Sequence, residues 1–290
     1  MSTIGVGAFS GCTNLTSVNL GSNAIVSASR TYNTSLKSIF GDQVKTYVIG
    51  KSVKGIGQYA FYGCTGLTSI TIGTAVLSIG SEAFSNTSPK KVIWLTNTPP
   101  EGYRNIKGTI NYTANEQYSG LTNVMVYPFI SSLFEVNGVK YVPVSPSERT
   151  CDAIDCVHNK SVENLNIGET VTNRGIKLTI KQINPYLCYG NTFVKDANLS
   201  FTGNIGAYAF YGCTGLNESM ITNQGSIGSE AFSGCIAMQT AELGQGITSI
   251  GSNAFKNCSM LGSIVIPDAV TFIPNRSLGF LGVVRQREIL

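Results

Sequence analysis

The string Tyr59-Ala-Phe-Tyr-Gly-Cys-Thr-Gly-Leu67 returns unchanged at Tyr208 to Leu216, and Ile79-Gly-Ser-Glu-Ala-Phe-Ser85 returns at Ile227 to Ser233. Self-similarity of this kind constrains a fold more than local propensity does. Each copy must take the same shape and meet its neighbours through the same faces. Isoleucines mark the frame at 56 and 79, then at 183, 205, 227, 250 and 273, in steps of 22 or 23 residues within each block. Ile4 opens an earlier copy.

The unit reads Ile-Gly-x-x-Ala-Phe-x-x-Cys-x-x-Leu-x-x-Ile-x-Ile. Its Leu-x-x-Ile-x-Ile part, as in Leu67 to Ile72, alternates as a half-buried strand does. Its Ala-Phe-x-x-Cys part spaces apolar residues three apart, which predicts a helical or 3-10 turn. One copy cannot fold alone. Ordering its residues costs roughly 1–2 kcal/mol each in backbone entropy, and burying about six apolar side chains returns only about 1.5–3 kcal/mol apiece. Stacked copies add strand-to-strand hydrogen bonds and shared apolar contact, so the expected fold is a solenoid, mostly β with short helical or 3-10 turns. The same stacking accounts for most of the cysteine. Cys12, Cys64, Cys213, Cys235 and Cys258 share the column eight residues after the isoleucine, where Thr87 and Asn191 stand in two other copies. A thiol there serves as a small apolar group with a weak donor.

The pattern breaks between residues 96 and 182, which predicts three segments: 1–127 as a first array with a closing segment, 128–182 as a β-hairpin insertion, and 183–290 as a second array. Asn97-Thr-Pro-Pro100 ends the strand before it. Phe134 to Val142, alternating around Asn137-Gly138, predicts a hairpin with a type I′ turn, and a second hairpin is expected between Leu165–Ile167 and Ile176–Ile180. The chain opens almost at a repeat's first isoleucine, with no cap. Met1 is therefore expected not to begin the natural mature protein, or the chain to be a fragment.

Only 12% of residues are charged and the net charge is +4, with no run of Lys or Arg. Nucleic acid and anionic membrane need a concentrated basic footprint, so neither is an expected partner. No stretch of 18 apolar residues is present to span a bilayer, and Met1-Ser-Thr-Ile shows no signal-peptide pattern.

The repeat unit resembles that of the BspA-like leucine-rich-repeat surface proteins, a treponemal type of leucine-rich repeat, over residues 1–95 and 183–290. The Phe134 to Tyr141 segment also looks like a hairpin that often precedes such arrays. The resemblance implies a right-handed curved solenoid with a parallel sheet on its concave side: two arrays separated by the β-hairpin insertion. It further implies a secreted bacterial protein displayed at the cell surface, adhering to host extracellular matrix or to another surface protein. The motif is specific for the repeat class and nearly silent about the ligand. A structural spacer that displays other domains and binds nothing itself is the alternative.

In Leu-x-x-Ile-x-Ile the residue between the two isoleucines points to the concave face. That column reads Asn19, Val48, Thr71, Trp94, Asn198, Met220, Glu242 and Val265. Trp94, Thr71, Val48, Asn198, Met220 and Glu242 are the candidate binding surface. Trp94 either faces a partner, as tryptophans in binding hot spots do, or lies under the β insertion. Cys151 and Cys156 stand off the ladder: either a local disulfide or two free thiols in a strand-edge turn, with a zinc site shared with Asp152, Asp155 or His158 the remote alternative. His158, the sole histidine, is expected as a solvated loop residue. No catalytic residue, cofactor or metal set emerges, and the chain is expected not to be an enzyme.

Overall fold

A computed structural model describes residues 3–222, 224–274, 277 and 282–285. The chain divides into two compact units, residues 1–132 and 133–290.

In the first unit six parallel strands form one sheet in chain order: Ser17–Leu20, Thr46–Ile49, Ser69–Ile72, Lys91–Trp94, Ile110–Thr113 and Val124–Val126. A second, short ladder pairs Gly55–Ile56 with Ser78–Ile79. The repeats opened by Ile56 and Ile79 thus each contribute a long strand from the later part of the unit and a two-residue strand at the opening isoleucine. The chain reverses between them at the Ala-Phe turn. That turn is not a helix. Ala60 and Cys64 N–H groups donate to Gly57 and Phe61 carbonyls three residues back, but left-handed residues at Tyr59 (φ 56°) and Gly63 (φ 69°) keep successive turns from joining into a helical run.

In the second unit the open sheet comprises Asn164–Ile167, Asp196–Leu199, Glu218–Ile221 and Thr240–Leu243, all parallel. A longer sheet runs from Ile247–Ile250 through Gly225–Ile227, Asn204–Ile205, Ile176–Ile183 and Thr150–Cys156 to the hairpin Val139–Ser145 and Phe134–Val136. Asn137 and Gly138 both take positive φ, 49° and 75°, as the predicted I′ turn requires. The second expected hairpin forms differently. Ile176–Ile183 folds back on Thr170–Asn173 around Arg174 and Gly175, both left-handed. Leu165 and Ile167 instead lie in the first rung of the open sheet, paired in parallel with Ala197 and Leu199. Their alternation is that of a repeat strand, and the two-residue turn at Arg174-Gly175 is tighter than any that could join residue 167 to 176.

Like residues stack on like. Phe210, Phe232 and Phe255 are fully buried with parallel rings 5.0 and 5.2 Å apart, and Phe61 stacks on Phe84 at 4.9 Å. The cysteine column lies beside them. Cys213, Cys235 and Cys258 donate S–H to the carbonyls of Cys188, Phe210 and Phe232 in the preceding rung at 3.1, 3.2 and 3.2 Å. Thr87 makes the same bond to Phe61 O at 2.7 Å and also accepts from Cys64 N–H at 3.0 Å. A hydroxyl therefore replaces a thiol in that column without leaving the donor idle. The glycine after Ile205, Ile227 and Ile250 has a different cause. A Cβ on Gly228 would stand 2.5 Å from Ala207 N in the coil before it, closer than any side chain tolerates.

Truncating Phe232 removes the middle ring of three. Phe232→Ala is expected to cost about 3–5 kcal/mol, read as a lowered denaturant midpoint for the second unit. Phe232→Leu should cost less than half as much.

Candidate functional site

The open sheet of the second unit presents one side of its strands to solvent. Ala197, Leu199 and Ile221 point into the core and are buried, while Asn198, Met220 and Glu242 point away and are exposed. Backbone pairing sets Asn198 against Met220 and Met220 against Glu242, so these three sequence-selected residues form one row across three strands. Two residues upstream, Asp196, Glu218 and Thr240 form a second row in the same register. The two rows bound a depression of about 190 Å³. Its lining carries three carboxylates, one thioether and no Lys or Arg. The nearest lysine in sequence, Lys195, turns its ammonium to Glu163 at 3.3 Å. The sequence reading missed Asp196 and Glu218, although the two-residue period of a strand places them on the same side as Asn198 and Met220.

The first unit is organised otherwise. Val48 is half-buried and Thr71 is buried, only 3% exposed, so Thr71 offers no open surface. Trp94 departs further from expectation: it is fully buried and stands in register with Ile72, on the inward side. Ile93 takes the place opposite Thr71 that the frame had given to Trp94. The cause is a rung one residue short. Cys64 and Thr87 are 23 residues apart in the column, yet Ser69 pairs with Lys91, 22 residues on. The missing residue lies between Thr87 and Lys91, and losing one residue before a strand exchanges its two sides. Trp94 packs on Tyr118 at 5.2 Å and edge-on to Tyr103 at 6.4 Å, and its indole N–H donates to Asn111 Oδ1 at 3.2 Å. Its cover comes from the segment that directly follows its own strand. Burial also lifts the Tyr118 phenol to about 12, while its hydroxyl bonds Thr96.

Cys151 and Cys156 lie in one extended strand, Thr150–Cys156. Five residues of strand separate them by about 16 Å, against the roughly 7 Å that a disulfide spans. Both are free, buried thiols, and burial raises Cys151 to about 12. Asn191 Nδ2 reaches Cys156 Sγ at 3.4 Å and Val157 O at 3.0 Å. Asp155 is bound to Lys140 Nζ at 2.8 Å, and Asp152 accepts from Gln182 at 2.9 Å. No group of three or more His, Cys, Asp or Glu side chains converges on a metal-sized point among the described residues. His158 is buried, not solvated. The chain stays on the hairpin after Cys156, because Val157 N–H donates to Gly138 O and Val157 O accepts from Asn191.

The family model of the BspA type leucine rich repeat region matches six copies in the chain, over residues 40–107 and 179–281. Among solved structures, the Treponema pallidum leucine rich repeat protein TpLRR is 19% identical, with 50% of this chain and 66% of that one covered and a TM-score of 0.41. A leucine rich cell surface protein from Faecalibacterium prausnitzii is 17% identical, covering 93% of this chain and 83% of that one, TM-score 0.44. The pneumococcal vaccine antigen PcpA is 19% identical, covering 84% of this chain and 55% of that one, TM-score 0.43. Curated proteins give no match.

Thiol chemistry checks the cysteine assignment. All eight cysteines should titrate in denaturant without reductant; six would mark a disulfide. In the native protein at neutral pH only exposed Cys12 is expected to react quickly, since burial also holds Cys64 as a thiol up to about 12.

Proposed function

This chain belongs to the BspA type leucine rich repeat family, and we propose that it is a non-enzymatic binding protein of the bacterial cell exterior whose open parallel sheet docks a protein partner. One observation carries the docking surface: Asn198, Met220 and Glu242 form an exposed row beside Asp196 and Glu218 over a depression of about 190 Å³. The location outside the cell rests on the family. The structure contains no helix long and apolar enough to cross a membrane among the described residues.

The chemistry of the face selects its partner. Three carboxylates cluster there in a chain whose net charge is +4, so the attraction is local and opposite in sign to the molecule as a whole. A strand-like or loop segment carrying Lys or Arg, with an apolar side chain to meet Met220, complements it. Such a segment occurs in surface and matrix proteins alike. A partner of this kind binds more weakly as salt rises, since the carboxylates stand at an exposed surface. Binding with no chemistry is supported by the state of the reactive side chains: the sole histidine is buried and the off-ladder thiols are enclosed.

The test uses the full chain, immobilised, against a panel of purified extracellular-matrix proteins and a lysine-rich reporter peptide. Reversing two charges, Glu218→Lys with Glu242→Lys, is expected to weaken binding at least about tenfold, or ~1.4 kcal/mol. Met220→Ala should weaken it several-fold without changing the salt dependence. Binding unchanged by all three substitutions would show that the sheet face is not the docking surface. No binding to any panel member or to the peptide would favour a spacer.

A further inference from the structure

The repeated Tyr-Ala-Phe-Tyr string has two outward tyrosines per copy, which the open sheet does not use. Tyr186 and Tyr189 occupy these columns in one rung, and Tyr208 and Tyr211 occupy them in the next. The coil places equal side chains one above another, so the rings pair face to face. Tyr186 lies over Tyr208 with centroids 5.0 Å apart and planes within 3°, and Tyr189 lies over Tyr211 at 5.0 Å and 8°. All four are half-buried, each with its phenol held beside the next. Tyr208 OH also donates to Glu230 Oε1 at 3.2 Å. The buried phenylalanine ladder has the same spacing, but has no hydroxyl and cannot be oxidised at one.

We propose that Tyr186–Tyr208 and Tyr189–Tyr211 are sites of intramolecular dityrosine cross-linking. The oxidant is hydrogen peroxide acting through a haem peroxidase. Each phenol gives up one electron and its hydroxyl proton to become a phenoxyl radical. The two radicals join through the ring carbons ortho to oxygen, and the two hydrogens on those carbons move to the oxygens, restoring both phenols. The pair loses two hydrogen atoms in all, and one peroxide is reduced to two waters. Stacked rings bring these carbons within reach before either radical forms, so coupling competes with diffusion as an intramolecular step does. The product fastens the first isoleucine-marked rung of the second array to the rung after it.

The first unit provides the contrast. Tyr59 and Tyr62 fill the same two columns, but the next rung carries Glu82 and Ser85 there, so neither has a parallel partner. They meet each other edge-on at 5.6 Å and 67°. Dilute full-length protein is treated with peroxidase and hydrogen peroxide, the monomer is isolated, and tryptic peptides are mapped. Expected is the dityrosine-linked pair of peptides 182–195 and 196–256, with fragmentation joining Tyr186 to Tyr208 and Tyr189 to Tyr211. Its yield should exceed that of a Tyr59–Tyr62 link at least about tenfold. Tyr208→Phe with Tyr211→Phe retains the ring stack, and an unchanged melting temperature confirms that it folds; it should abolish the link. Links found mainly at Tyr59–Tyr62 or between molecules would overturn the assignment, as would an undiminished yield in the folded double variant.

Discussion

Backbone hydrogen bonds from one coil to the next fix the spacing on which everything else in these units depends. Phe210 N–H donates to Ala231 O at 2.7 Å and Phe232 N–H to Ala254 O at 2.8 Å. At the opposite corner Gly228 and Gly251 donate back to Ile205 and Ile227, each at 2.8 Å. The parallel strands close the third side. With three sides bonded, neighbouring coils cannot slide or separate, and their distance is that of strands in a sheet, about 4.8 Å. That distance suits stacked aromatic rings, which is why one phenylalanine column packs a whole core. It also brings backbone so near to backbone that a Cβ on Gly206, Gly228 or Gly251 would stand within 2.5 Å of the preceding coil.

How much of this the amino acids disclose depends on what sets each position. The Ala, Phe and Cys columns are legible because they are fixed by distance from the opening isoleucine, and the structure stacks Ala209, Ala231 and Ala254 as the sequence aligns them. The long strand is fixed by its bonds to the strand before it, so counting from the isoleucine fails wherever a turn changes length. Trp94 shows this. That the expected strand at Leu165–Ile167 is a rung of the open sheet was illegible for a related reason: no isoleucine-glycine frame precedes it, and only its pairing with Asp196–Leu199 identifies it as one. Alternation selected Asn198, Met220 and Glu242 correctly as outward. For Thr71 it assigned a side of the sheet, but a side is not an exposure.

The open sheet is a rigid place to put a binding surface. Met220 and the carboxylates of Asp196 and Glu218 project from strands bonded on both sides, so they lose little backbone freedom when a partner arrives, and less of the contact energy is lost to ordering. Acidic side chains also suit the position in the free protein. A sheet face with no charge invites another apolar surface, whereas Asp196, Glu218 and Glu242 stay solvated until a cation replaces water.

The short rung before Lys91 shows what length means in such a chain. One residue fewer in a turn leaves every column before it intact and turns the following strand over, carrying a tryptophan into the interior and an isoleucine to the other side. Small insertions and deletions in the turns therefore act as a coarse editing tool on the sheet, exchanging the residues on its two sides in one event while the coils above and below keep their hydrogen bonds. A lineage of such chains has two alphabets to draw on for recognition, the one written on the exposed positions and the one stored one residue away.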